Sequence, residues 1–184
     1  MPERTKKRFM ISIWICGLAI LAASCGGDNG DENGVRCVVE ALTAGTYSFT
    51  VAKVDDKCAG GAVADLIGEG PYEFDLPSYA DLQAGPVDVE AELPGIGAVT
   101  VRFELEGGKI TFSLPGGSVF VVLPLLEGCL AEVSAAGTLC PLSETEANAT
   151  LVLTIEDLVG TCGDIKPDMP CDVTVQLEGQ LQAE

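Results

Sequence analysis

Histidine is absent from the 184 residues, and 10 lysines and arginines stand against 28 aspartates and glutamates, a formal charge of −18. The first absence removes the commonest catalytic acid/base and the commonest neutral metal ligand together. The shortage of bases argues against nucleic acid as a partner, because phosphates are neutralised by clustered Lys and Arg, and it gives no electrostatic hold on an anionic membrane surface. Aromatic residues make up 5% of the chain, with Trp14 the single tryptophan. Stacking platforms of the kind that bind sugars are therefore not evident. Tyr72 and Tyr79 are the loose candidates, and packing accounts for both more simply.

Recognisable catalytic patterns are missing too. There is no Gly-x-Ser-x-Gly, phosphate loop or dinucleotide fingerprint. Without histidine, Ser78, Ser113 and Ser134 have no partner with which to form a triad. Several carboxylates lie close in sequence: Asp55-Asp56, Glu90/Glu92, Glu104/Glu106, Glu144/Glu146 and Glu156-Asp157. Glycoside hydrolysis uses two such groups across a sugar, but these fall on the outward phase of alternating segments, which reads as a solvated acidic coat. No catalytic residue, metal or cofactor is expected, and the glycosylation sequon at Asn148 reads as incidental.

The charge that is present is unevenly placed. Arg4, Lys6, Lys7 and Arg8 precede the apolar run Phe9 to Ala23, which is short for a membrane span of about 20 residues. Basic leader and short apolar core read as a signal peptide over residues 1–24. From Cys25 onward, 6 bases face 27 acids, a net of −21. Leu21-Ala22-Ala23-Ser24-Cys25 followed by Gly26-Gly27 resembles the lipobox of bacterial lipoproteins, with the leucine one place earlier than the preferred pattern. The resemblance implies that Cys25 becomes the first mature residue and carries lipid, so the membrane is a partner through covalent acyl chains. Two or three such chains hold permanently at about 0.8 kcal/mol per buried CH₂. Gly26, where this family's inner-membrane proteins tend to carry Asp, implies the outer membrane.

Residues 25–34 read as a flexible tether, reaching about 17 Å as a Gly-rich coil of some ten residues. Asn29, Asp31, Asn33, Gly34 and Glu40 match part of a calcium-loop spacing. Asn at the first position and Arg36 at the eighth disfavour that reading.

The remainder, 35–184, is one domain's worth of chain. Its period is 2. Val87, Val89, Ala91 and Leu93 alternate with acids, as do Val99, Val101, Phe103 and Leu105 with polar residues, and Ile110, Phe112 and Leu114 continue the pattern. Gly107-Gly108 supplies a type I′ hairpin turn that places Glu106 opposite Lys109, so 87–114 is expected to be a three-stranded meander. Val35–Leu42 and Thr46–Val54 are expected to form an opening hairpin, and Ala147–Ile155 and Val173–Leu181 further strands. Ser118–Leu123, apolar on both phases, is expected to be the most buried strand. Ala62–Ile67 reads as a short helical turn, and 70–85 as coil with a helical turn near Ser78–Leu82. The fold class expected is all-β, an antiparallel β-sandwich or small barrel stapled by disulfides.

Cysteine arithmetic supports both ends of this reading. Setting Cys16 and Cys25 aside leaves Cys37, Cys58, Cys129, Cys140, Cys162 and Cys171, an even set that allows 15 pairings. Proximity favours 37–58, 129–140 and 162–171. No Cys-x₂-Cys knuckle suits zinc, and disulfides agree with export. The chain thus resembles the disulfide-bonded envelope lipoproteins of diderm bacteria. The function expected is a non-enzymatic, membrane-anchored structural or interaction module. The alternative is a carrier for lipid or another hydrophobic ligand, with the Ser118–Leu123 strand lining its pocket.

Overall fold

The computed structural model describes residues 36–58, 64–93, 97–122, 128–162 and 169–183. The expected signal peptide, Cys25, the expected tether, most of the calcium-loop spacing and Leu123 lie outside them. The described strands are β1 (Gly45–Asp56), β2 (Tyr72–Leu76), β3 (Val87–Leu93), β4 (Gly97–Glu106), β5 (Lys109–Val122), β6 (Cys129–Pro141), β7 (Glu146–Gly160) and β8 (Cys171–Leu181). They form one antiparallel sheet in the order β2-β1-β8-β7-β6-β5-β4-β3. The sheet curls until its outer strands β2 and β3 come alongside each other, giving a nearly closed eight-stranded barrel.

Alternation explains why these residues make strands. Tyr47 and Phe49 on β1, Ile110 on β5, Cys129 and Ala131 on β6, Ala147 and Ile155 on β7, and Val173 and Val175 on β8 all turn inward and are buried. Their neighbours Thr50, Lys109, Thr138, Glu146 and Glu178 turn outward to water. A barrel with this apolar interior and polar coat is the reverse of one that crosses a membrane. Among the described residues no helix is long and apolar enough to cross one either.

Closure needs bends. Register shifts fall between Val51 and Lys53 on β1, between Ser113 and Ser118 on β5, and between Glu132 and Val133 on β6, and such bulges increase local twist. Close approach of backbones is also required. Phe112 stands directly opposite Gly137, and Phe49 directly opposite Gly179. A Cβ at either glycine would collide with the ring it faces, so each glycine is the seat of an aromatic side chain.

The expected meander is present, with β3, β4 and β5 joined in sequence and Glu106 paired with Lys109. Gly107 and Gly108 both adopt positive φ, +57° and +78°, as the tight turn requires. A short helix α1 (Ala64–Ile67) lies within the expected turn. Other expectations are corrected. The opening hairpin does not form: Val39–Ala41 is a 3₁₀ turn, and the Val38 N–H donates to the Pro141 carbonyl at 2.7 Å, beside β6 rather than β1. Residues 72–76, expected to be coil, are strand β2. Helix α2 (Tyr79–Ala84) follows, with Ser78 as its N-cap in a reciprocal capping box with Asp81. β6 has no counterpart among the expected strands.

Three disulfides are present, with a different connectivity from that favoured by proximity. They join Cys37 to Cys140, Cys58 to Cys171 and Cys129 to Cys162, with Cα separations of 4.9, 5.3 and 4.7 Å. The reason is strand length. Cys129 and Cys140 sit at opposite ends of β6, roughly 35 Å apart at about 3.3 Å per residue, far beyond the reach of a disulfide. Cys37 and Cys58 likewise flank the whole of β1. Cys171 pairs with Ile155 across the ladder, so β7 overshoots it and carries Cys162 back to Cys129. Each bond therefore joins neighbours at one end of the barrel. Three disulfides place the domain in an oxidising, extracytoplasmic compartment.

Candidate functional site

The two ends of the barrel are built differently. At one end the 3₁₀ turn and α2 cover the interior: Val39, Leu42 and Leu82 are buried there, the Tyr79 N–H donates to the Leu42 carbonyl at 3.1 Å, and Cys37–Cys140 locks the turn to β6. The Tyr47 hydroxyl reaches this end and lies 3.3 Å from the carbonyls of Thr43 and Glu144, which share its proton. Burial pushes its pKa up, and the bond to Thr43 opposes this. Tyr72, on β2, is raised by burial as well. Tyr79 packs against the core from α2. Neither Tyr72 nor Tyr79 is an exposed platform.

Between the ends, the described residues crowd the interior. Phe49, Phe74, Phe103 and Phe112 surround a cavity of about 70 Å³ that Leu76, Leu139, Leu151 and Leu177 complete. The rings of Phe49 and Phe74 are 5.8 Å apart, and those of Phe103 and Phe112 are 5.7 Å apart. Ligand pockets run to about 300–1,000 Å³, so this space is a packing remnant. An open hollow of about 510 Å³ lies on the outer face, lined by Ser48, Thr50, Glu146, Asn148, Glu178 and Gln180. It is a shallow trough between outward side chains of β1, β8 and β7.

The carboxylate pairs do not converge. Asp56 is structural, accepting the N–H groups of Cys58 at 2.7 Å and Ala64 at 2.8 Å and so fixing the entry to α1. Its neighbour Asp55 is exposed on the other phase of β1, and Glu90, Glu106, Glu144 and Glu146 are exposed as well. Glu104 lies on the same outward phase of β4, paired with Thr111. Glu156 accepts from the Ser134 hydroxyl at 3.1 Å, and Asp157 from the Leu158 N–H at 2.8 Å. Asp81 and Asp88 have displaced pKa values, and both are moved down: Asp81 by its hydrogen bonds from Ser78, and Asp88 by the Arg102 guanidinium, 2.7 Å away across β3 and β4. A general acid needs the opposite displacement. Among the described residues, no group of three or more Cys, Asp or Glu could hold a metal ion. Ser78 is a helix cap, Ser134 a partner of Glu156, and Ser113 an exposed residue of β5.

At the far end the structure brings together residues that sequence reasoning placed elsewhere. The Ser118–Val122 segment is not the most buried. Val121 turns into the core, but Phe120 is 61% exposed and Val122 60%. Val122 pairs with Leu130, and Leu130 with Val159, each at least 36% exposed. These three form one apolar row across β5, β6 and β7. The next row is Phe120, Glu132 and Asp157, an aromatic ring followed by two acids. The missed signal is architectural. A single barrel of eight strands has no second layer, so every strand keeps one face toward water, and a segment apolar on both phases must then expose an apolar side.

Comparison with protein-family models, curated proteins and solved structures finds no match to this chain.

Proposed function

We propose that the chain is an exported protein held on the outer membrane by lipid on Cys25, and that its barrel is a non-enzymatic interaction module. The observation that carries the reading is the cysteine pairing. All six cysteines from Cys37 onward are consumed in three disulfides, which leaves Cys25 as the one cysteine after the apolar leader without a partner among them. Acylation gives that residue a chemical fate that an unpaired exported thiol would lack. The module reading is supported by an interior cavity of about 70 Å³ among the described residues, far below the size of a ligand pocket, and by acids that lie on the outward phase of the strands.

Metabolic labelling with a clickable palmitate tests the anchor. The wild type is expected to label and Cys25→Ala to lose the label; persistent labelling of the variant would remove the lipoprotein reading. Native mass spectrometry tests the module against the carrier: the purified barrel is expected to carry no non-covalent lipid mass, and a stoichiometric adduct would restore the carrier.

A further inference from the structure

We propose that the outer face of the β5–β6–β7 end, centred on Val122, Leu130 and Val159, docks a protein partner whose surface presents an apolar strip bordered along one side by Lys and Arg. This deepens the interaction-module reading and does not depend on the lipid anchor.

The first support is geometric. The β4–β5 ladder stops at Arg102 and Ser113, and the β7–β8 ladder stops at Ile155 and Cys171. Beyond those points β5 and β7 are paired, among the described residues, with β6 alone. The three strands therefore run on as a tongue past the ends of the β4 and β8 ladders; Val121, Ala131 and Val133 keep its inner face in the core, and the apolar row lies on its outer face. Cys129–Cys162 and the Thr161 N–H, which donates to the Gly128 carbonyl at 2.9 Å, tie its tip. The surface is thus ordered before any partner arrives, which limits the entropy lost on docking.

The second support is charge. Along the barrel side of the apolar row stand Glu132 and Asp157, with Glu156 beside them at the bulge. These acids are held in place: the Ser118 hydroxyl donates to Glu132 at 2.7 Å, and Ser134 to Glu156 at 3.1 Å. Fixed carboxylates next to exposed Phe and Val select a cationic border on the partner. They disfavour an anionic lipid surface. They also disfavour a second copy, which would bring the same acids and a net −18 of its own. Four side chains expose on the order of a few hundred Å², an area that suits a small, transient contact with a partner protein rather than a permanent dimer.

The test uses the purified protein and a synthetic amphipathic peptide with a leucine stripe flanked by lysines, alongside the same peptide with glutamates in place of the lysines. The lysine peptide is expected to bind with affinity that falls as salt rises, and to move amide resonances around Val122, Leu130 and Val159. The glutamate peptide is expected to bind at least tenfold more weakly. Phe120→Ser/Val122→Thr, which alters exposed side chains only, should fold normally and lose about tenfold in affinity. Glu132→Gln/Asp157→Asn should keep the apolar row and lose most of the salt dependence. Unchanged affinity in the first variant, or resonance shifts spread over the acidic β3–β4 face instead, would overturn the proposal. So would binding to phosphatidylcholine or phosphatidylglycerol vesicles, or wild-type dimerisation in sedimentation, if Phe120→Ser/Val122→Thr abolished it. None of these outcomes would alter the palmitate result, so the two readings fail separately.

Discussion

Residues 109–114 and 118–122 belong to one strand, yet they meet different surroundings. The first half lies between β4 and β6, sends Ile110, Phe112 and Leu114 inward, and turns Lys109, Thr111 and Ser113 to water. The second half lies beyond the Pro115-Gly116-Gly117 kink, has β6 as its ladder partner, and carries Phe120 and Val122 into solvent. Burial is decided by where a strand's neighbours stop as much as by its own composition. The same hydrophobicity that makes the first half core leaves the second half with an apolar exterior.

The largest effect expected to sharpen this contrast is loss of the bonds that hold the two ends. In the chain-entropy account, Cys37→Ser/Cys140→Ser opens a cross-link of sequence separation 103 and costs about 4.7 kcal/mol, whereas Cys129→Ser/Cys162→Ser, of separation 33, costs about 3.7. Urea unfolding measures both. Equal costs would mean that residual structure in the unfolded chain, not loop length, sets the scale.

Next come the two phenylalanines of β5. Phe112→Ala removes a ring seated on Gly137 and lining the cavity, and is expected to cost about 3 kcal/mol. Phe120→Ser is expected to stay within about 0.5 kcal/mol of wild type, and a loss comparable with that of Phe112 would show the outer face of the tongue to be packed after all. Smaller again is Ser78→Ala, which removes the cap of α2 and should cost about 1 kcal/mol.

The smallest effect is in pH. Asp81 and Asp88 have pKa values below their unfolded ones, so their stabilisation is present above the ordinary carboxylate range and is lost as pH falls through their lowered values. Arg102→Gln should move the Asp88 carboxyl back up and flatten part of that acid limb, as a carboxyl titration by NMR would show.

Much of the barrel could be read directly where contrast was high. β3, β4 and the start of β5 alternate acids or hydroxyls with Val, Leu and Phe, and Gly-Gly marks their turn. β6 was illegible because the small residues Cys129, Ala131, Ala135 and Gly137 dilute Val133 and Leu139 on its inward phase. At Gly137 a small residue is required, since the Phe112 ring occupies the space a side chain would fill. That requirement belongs to the neighbouring strand. β2 was obscured by its brevity, five residues held between Gly70-Pro71 and Pro77. The disulfide set was legible as a number but not as pairs, because pairing depends on which strand ends meet. The apolar row was legible as composition and misread as depth.

The Cys37–Cys140 bond also determines how the domain bears load. Any pull arriving through residue 36 passes within one residue into a covalent link to β6, a strand laddered on both sides by β5 and β7. Force is then spread in shear along two ladders at once, and the outer strands β2 and β3 carry none of it first. Without that bond the same pull would act on the 3₁₀ turn alone and lift it from the barrel end, uncovering Val39 and Leu42 while the sheet stayed whole. The covalent link thus makes the side of the domain that begins at residue 36 fail last.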